Sequence, residues 1–445
     1  MWSLEKTTLW TMTFLATAAL SACGGGGSAT GTSSNNDGDT KTPTFTVSTS
    51  IGVVPGLTAL TPSTVESTTV ASSLAVDPSG RYAYVAGSDI DQYTIQANGS
   101  LAPMSPLSVS AGSSPRNIAI DPTGQYAYVT NNFSSNVSQF SIEADGSLKA
   151  LDPATIDAGV GPSGIAVDPT GQYVYVTNAN ATDNTVYQYS IGADGTLSHL
   201  SPQKILAGSG PVSVVVDPSG QYAYVANQNV GTISQFAIGD DGTLTALSPK
   251  NVNSGSLPRE IAMDPTGHFV YVANGNDNTL SQYTIGNDGQ LTPINPATVA
   301  TGNSPESITV DPTGQYVFAV STNDDMISQY DIGADGSLTA LSPESVATSS
   351  GSGHSITVDP TGQYAYATNL TNSVINQYAI DAQSGGTISP TSATVAEGLT
   401  TTFTLTPDSG FTVDHVTGCD GAESVNTYTT NSVVEDCTVT AYFSH

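Results

Sequence analysis

The stretch GIAVDPTGQYVYVTN, residues 164–178, decides the fold. Ile165 to Val167 is a short apolar run, and Tyr173 to Asn178 alternates at period two, so both read as strands. Between them, Asp168-Pro-Thr-Gly is a tight turn. An Asp in first position can accept from a backbone N–H two residues on, Pro presets the next φ, and Gly tolerates the exit. Further along, Thr185 to Ile191 reads as a third strand, Asp194-Gly195 as a hairpin turn, and Leu197 as the start of a fourth. The same Asp-Pro-Ser/Thr-Gly turn begins at Asp77, Asp121, Asp168, Asp217, Asp264, Asp311 and Asp359, at spacings of 44, 47, 49, 47, 47 and 48 residues. Four antiparallel strands repeated seven times at this period predict an all-β protein, a seven-bladed β-propeller with four-stranded blades.

The fourth strand carries its own signature, Leu-x-x-Leu/Met/Ile-x-Pro, at Leu101, Leu148, Leu197, Leu244, Leu291 and Leu338. It occurs once more ahead of the first turn, at Leu57 to Pro62, and is missing after the seventh repeat. The ring is therefore expected to close with residues 57–66 against the strand at 374–380, leaving no free edge. A rival closure would use residues 386–395.

Of 445 residues, 8 are Lys or Arg and 38 are Asp or Glu, a net charge of −30. Charged residues make up only 10% of the chain, so the imbalance is a shortage of bases. That excludes a nucleic-acid surface, which needs clustered Lys and Arg. The repeat also absorbs the tyrosines, 17 of 20 of which occupy recurring strand positions, and the Gln ahead of each third-strand aromatic reads as a structural hydrogen-bonder.

The N-terminus reads as an export signal. Thr8 to Leu20 is apolar but too short to span a bilayer, and Leu20-Ser-Ala-Cys23 resembles a bacterial lipobox. Residues 1–22 are then a lipoprotein signal peptide, Cys23 the lipidated residue, and 23–44 a flexible Gly/Ser/Thr/Asn linker. This places the protein in the cell envelope, at the outer membrane or cell surface, partnered with the membrane through its lipid. Of three cysteines, Cys419 and Cys437 remain, and in an oxidising compartment they are expected to form a disulfide. The expected domains are a propeller at 45–384 and a small β module with this disulfide at 386–445.

What varies on a repeating scaffold marks the candidate site. Five and four residues before each turn Asp, where the chain enters the innermost strand, stand Ser72-Ser73, Arg116-Asn117, Ser163-Gly164, Val212-Ser213, Arg259-Glu260, Glu306-Ser307 and His354-Ser355. Arg, Glu and His are 17 of the 445 residues, so about 0.5 would fall among these fourteen by chance, and five do. Arg116, Arg259, Glu260 and Asn117 are candidate ligand-binding residues, and His354 with Glu306 a candidate acid–base couple. The bland alternative is that Arg259 and Glu306 pair across neighbouring blades and His354 caps a strand. Loops such as Asn276-Asp-Asn278 lack a Ca²⁺-binding pattern, and no metal or cofactor is expected.

Tyr128-Val-Thr-Asn131 and Tyr175-Val-Thr-Asn178, with the surrounding pattern P-x-x-I-x-x-D-P-x-G-x-Y-x-Y-V, resemble the repeat of YVTN-type propellers of the lactonase family. That resemblance spans about residues 55–384 and implies lactone chemistry, as in 6-phosphogluconolactonases and muconate-lactonising enzymes. Pro115-Arg116, Pro258-Arg259 and His354-Ser355 match fragments of the family's inner-strand runs, whereas Ser163 and Val212 stand where the family often places His. Residues 386–445, with both cysteines, resemble a divergent internalin B-repeat module. The sequence favours a lipid-anchored envelope propeller that binds or scaffolds a protein or glycan at its channel face. The alternative is a lactonase-type enzyme acting on a carboxylated or sugar lactone.

Replacing the lipidation residue, Cys23→Ser, is expected to move the protein from the membrane pellet to the soluble fraction on cell fractionation. Retention in the pellet would refute the anchor.

Overall fold

A computed structural model describes residues 43–52, 54–180, 182–383, 386–407 and 412–444. Seven four-stranded antiparallel sheets follow one another around the ring. Blade 3 is representative, with an inner strand at Pro162–Val167, a second at Tyr173–Asn178, a third at Thr185–Ile191 and an outer strand at Leu197–Leu206. The inner strands of blades 1, 2, 4, 5, 6 and 7 are Ser73–Val76, Pro115–Ile120, Pro211–Val216, Pro258–Met263, Pro305–Val310 and Gly353–Val358.

Each turn Asp explains its own recurrence. In blade 3, Asp168 Oδ1 accepts from the N–H groups of Gln172 and Tyr173 at 2.7 and 2.6 Å, and Oδ2 accepts from Thr170 N–H and its hydroxyl. One buried carboxylate thus satisfies four donors that the tight turn would otherwise leave unpaired.

The third-strand glutamines join blade to blade. Gln188 Nε2 donates to Pro202 O of its own outer strand at 2.9 Å, while its Oε1 accepts from Leu244 N–H, at the start of the next outer strand, at 2.5 Å. The arrangement recurs through Gln92, Gln139, Gln235 and Gln282. Six of the seven second strands add a tyrosine that donates to a hairpin glycine carbonyl of the following blade, as Tyr128 does to Gly195 O at 2.7 Å. Blade 6 has Phe318 there, packed with Leu57, because the outer strand it faces enters from the N-terminal side without an Asp-Gly hairpin.

Blade 7 takes its outer strand from Val54–Glu66, which pairs with Val374–Gln383 in the register Leu57↔Ile380, Ala59↔Tyr378 and Glu66↔Val374. The glutamine clamp carries across this seam: Leu57 N–H donates to Gln329, Gln377 donates to Pro62 O, and Leu101 N–H donates to Gln377. Residues 386–395 take no part, since Gly386–Ser389 pairs with Thr402–Pro407 and Ser392–Ala396 with Thr44–Ser48.

One boundary differs from the sequence expectation of a propeller beginning at residue 45. Thr44–Gly52 belongs to the C-terminal module, lying between Ser392–Ala396 and Cys437–Ser444 and running parallel to the latter. Its Val47 is fully buried with Phe403, Leu405, Val439 and Ala441. The module is thus two four-stranded sheets around one small core. Cys419 and Cys437 are disulfide-bonded beside that core, with Cα atoms 5.7 Å apart. The signal segment and Cys23 lie outside the described residues.

The Gln188→Ala variant leaves Leu244 N–H buried without a partner, while the carbonyl of the exposed Pro202 can turn to water. At about 1–3 kcal/mol for that orphaned group, it should destabilise the propeller by roughly 1–3 kcal/mol, read as a lower urea midpoint at unchanged slope.

Candidate functional site

A register irregularity at the start of the inner strands aims the variable residues. In blade 2, Pro115 pairs with Asn131 and Asn117 with Thr130, so Arg116 has no partner on the second strand. Val212, Arg259 and Glu306 are bulged in the same way in blades 4, 5 and 6. In blades 3 and 7 the irregularity spans Ser163-Gly164 and His354-Ser355. A bulge re-aims a side chain that an unbroken ladder would hold in the sheet. All fourteen variable residues except Gly164 line one cavity at the ring's centre. Its volume is about 60 Å³.

The two variable columns do different work. The second braces neighbouring blades: Ser73 Oγ donates to Asn117 Oδ1 at 3.1 Å, and Ile261 N–H donates to Ser213 Oγ. Ile308 N–H donates to Glu260 Oε2 at 2.9 Å, and Ile356 N–H to Ser307 Oγ at 3.1 Å. Asn117 and Glu260 therefore hold the ring together while they line the cavity. The first column carries the charged arc, Arg259, Glu306 and His354 on consecutive blades and Arg116 two blades further on; Ser163 and Val212 make the opposite side uncharged.

Arg259 Nε lies 3.2 Å from Glu306 Oε2, and Glu306 Oε1 lies 3.9 Å from His354 Nδ1. Neither nitrogen has a hydrogen bond of good geometry, so both keep donor capacity to spare. The interblade pairing foreseen for Arg259 and Glu306 is thus present, and His354 joins the same carboxylate. Arg116 is exposed and forms no ion pair or hydrogen bond with any described residue. Two arginines against Glu306 leave the arc with a surplus positive charge, in a chain whose net charge is −30.

Burial pulls the His354 imidazolium down from its ordinary range, and Arg116 and Arg259 add to the effect; Glu306 opposes them. The ring is therefore neutral at pH 7. Glu260 moves the other way. It lines the cavity but is largely buried, and that desolvation raises its pKa to about 7. The Glu306 charge adds to the rise, while hydrogen bonds from Ser307 and Ile308 oppose it.

Gly275 was not foreseen. A Cβ there would come within 3.3 Å of Arg259 Cγ and Nε, so the glycine makes room for the guanidinium stem. Its signal in the sequence is positional: the equivalent residues are Asn132, Ala179, Gln228, Thr322 and Leu370, all with side chains.

Comparison with known proteins places this architecture. The model of the seven-bladed β-propeller lactonases matches residues 14–252, 207–295 and 240–401, and the chain belongs to that family. Residues 376–445 match the divergent InlB B-repeat domain. Among solved structures, a Bacteroides fragilis protein provisionally named a 6-phosphogluconolactonase is 19% identical, with a TM-score of 0.55 over 62% of this chain and 84% of its own. A Lactobacillus plantarum protein is 24% identical, with a TM-score of 0.57 over 69% and 96%. Hydrazine synthase of Kuenenia stuttgartiensis is 16% identical, with a TM-score of 0.56 over 71% and 98%. At these identities the likeness is one of fold. No curated protein matches.

The raised pKa of Glu260 fixes a sign for stability. Its protonated form is favoured in the folded state, so that contribution is complete below about pH 4.5 and is lost as the pH rises through 7. Across that window the parent should lose roughly 3 kcal/mol that the Glu260→Gln variant retains, as measured by urea unfolding at a series of pH values.

Proposed function

We propose that the protein is a lactonase-type hydrolase of the cell envelope, anchored through Cys23, that opens a small lactone bearing an anionic group in the propeller channel. One observation carries this reading: an unpaired arginine, Arg116, shares a small cavity with a neutral histidine, His354, whose Nδ1 faces a carboxylate. Membership of the lactonase family supports it.

The residues divide the work. Arg116 is free to take the substrate's anionic group, and the spare donors of Arg259, fixed by Glu306, supply a second contact. With Glu306 facing Nδ1, the favoured tautomer carries its proton there and leaves Nε2 to accept one from water. The 3.9 Å separation is long for a hydrogen bond, and such contacts commonly tighten when substrate excludes water. Membership of the lactonase family is why hydrolysis is preferred here to a scaffold that binds protein or glycan.

A panel of aldonolactones and muconolactones tests the reading. The parent should turn over at least one of them, His354→Ala should lower kcat by about 10²–10⁴-fold, and Arg116→Ala should chiefly raise KM. No turnover at any pH, together with capture of an envelope glycan or protein at the channel face, would return the protein to a binding role.

A further inference from the structure

Blades 4 and 6 brace the next inner strand with a hydroxyl, Ser213 accepting from Ile261 N–H and Ser307 from Ile356 N–H. Blade 5 performs the same task with a carboxyl group, Glu260 Oε2 accepting from Ile308 N–H. A serine would serve, and enclosing a carboxylate carries a desolvation penalty that a hydroxyl avoids. The scaffold therefore gives no reason for a glutamate at this place. The cavity that Glu260 lines does.

The groups around it are few. Glu306 and Ser307 face it from blade 6, Arg259 is its neighbour on its own strand, and the adjoining inner strand of blade 4 offers only the uncharged Val212 and Ser213. Glu306 is committed to Arg259 and His354, while Glu260 has no cationic partner in hydrogen-bond contact.

Resting on the lactone-hydrolase reading, we propose that Glu260 is the general acid of the site, protonating the ring oxygen as it departs, with His354 as the base toward water. The two environments push these groups apart, Glu260 up to about 7 and His354 down, so that at neutral pH one retains a proton and the other can receive one. Water forms its bond to the acyl carbon as its proton passes to His354. The acyl–oxygen bond then breaks and the departing oxygen takes the proton of Glu260. Proton return from His354 to Glu260 through solvent restores both groups, and lactone plus water has become a hydroxy acid.

The test varies the leaving group. A carboxylated δ-valerolactone expels an alkoxide, which needs an acid, and a carboxylated dihydrocoumarin of the same ring size expels a phenoxide, which needs one far less. The Glu260→Gln variant should lose about 100-fold or more in kcat on the first and stay within about threefold on the second. The parent's fall in kcat on the aliphatic lactone as pH rises through about 7 should disappear with it. Glu260→Ser keeps the brace as Ser213 and Ser307 do, and should show the same selectivity with a Tm at neutral pH no lower than the parent's. Equal losses on both lactones, or an undiminished rate on the aliphatic one, would overturn the role of Glu260 alone. No turnover of either lactone by the parent would overturn the hydrolase reading and this role with it.

Discussion

Seven glutamine carboxamides bear the closure of the ring. Each donates to its own outer strand and accepts from the start of another blade's outer strand, and the accepted contact is buried. Because every carboxamide has a donor and an acceptor engaged, no blade can shift against its neighbour without stranding a buried polar group. The seam obeys the same rule. Leu57, which enters from the far end of the chain, meets Gln329 as Leu148 meets Gln92 within the continuous part of the ring. A seam held by the same bonds as every other junction leaves the central cavity with seven equivalent walls.

Equivalence of the walls makes their differences meaningful. The scaffold uses twelve of its 38 acids locally, seven closing the Asp-Pro-Ser/Thr-Gly turns and five the Asp-Gly hairpins. Against that background, two of the three arginines in the chain reach one cavity a few ångströms wide, beside a glutamate and a histidine. The polarity of the cavity is set by the bulged residues, while the residue after each of them mostly secures the adjoining blade.

The ring was legible in the sequence because its determinants are local. Asp168 shapes a turn within five residues, and the Leu-x-x-Leu-x-Pro signature placed the seam at residues 57–66, where it lies. The fourteen channel positions were legible for the same reason, since each sits at a fixed distance from its turn. What each of those positions does was not. That Arg259 and Glu260, adjacent in the chain, both reach the cavity depends on a bulge, which is a relation between two strands and leaves no mark on either one alone. The same applies to Thr44–Gly52. Its hydrogen bond from Thr46 N–H to Asp436 joins residues 390 positions apart, and its alternating residues would suit any sheet edge.

That strand also determines how the molecule carries force. Any pull on the chain ahead of Pro43 arrives first at Thr44–Gly52, held on one side by Ser392–Ala396 and on the other by Cys437–Ser444. A pull directed along the strand would load the hydrogen bonds on both sides together in shear instead of opening them one after another. The Cys419–Cys437 link ties one of the flanking strands back into the module. Such a pull would meet this strand before it reached Val54–Glu66, the outer strand that closes the propeller.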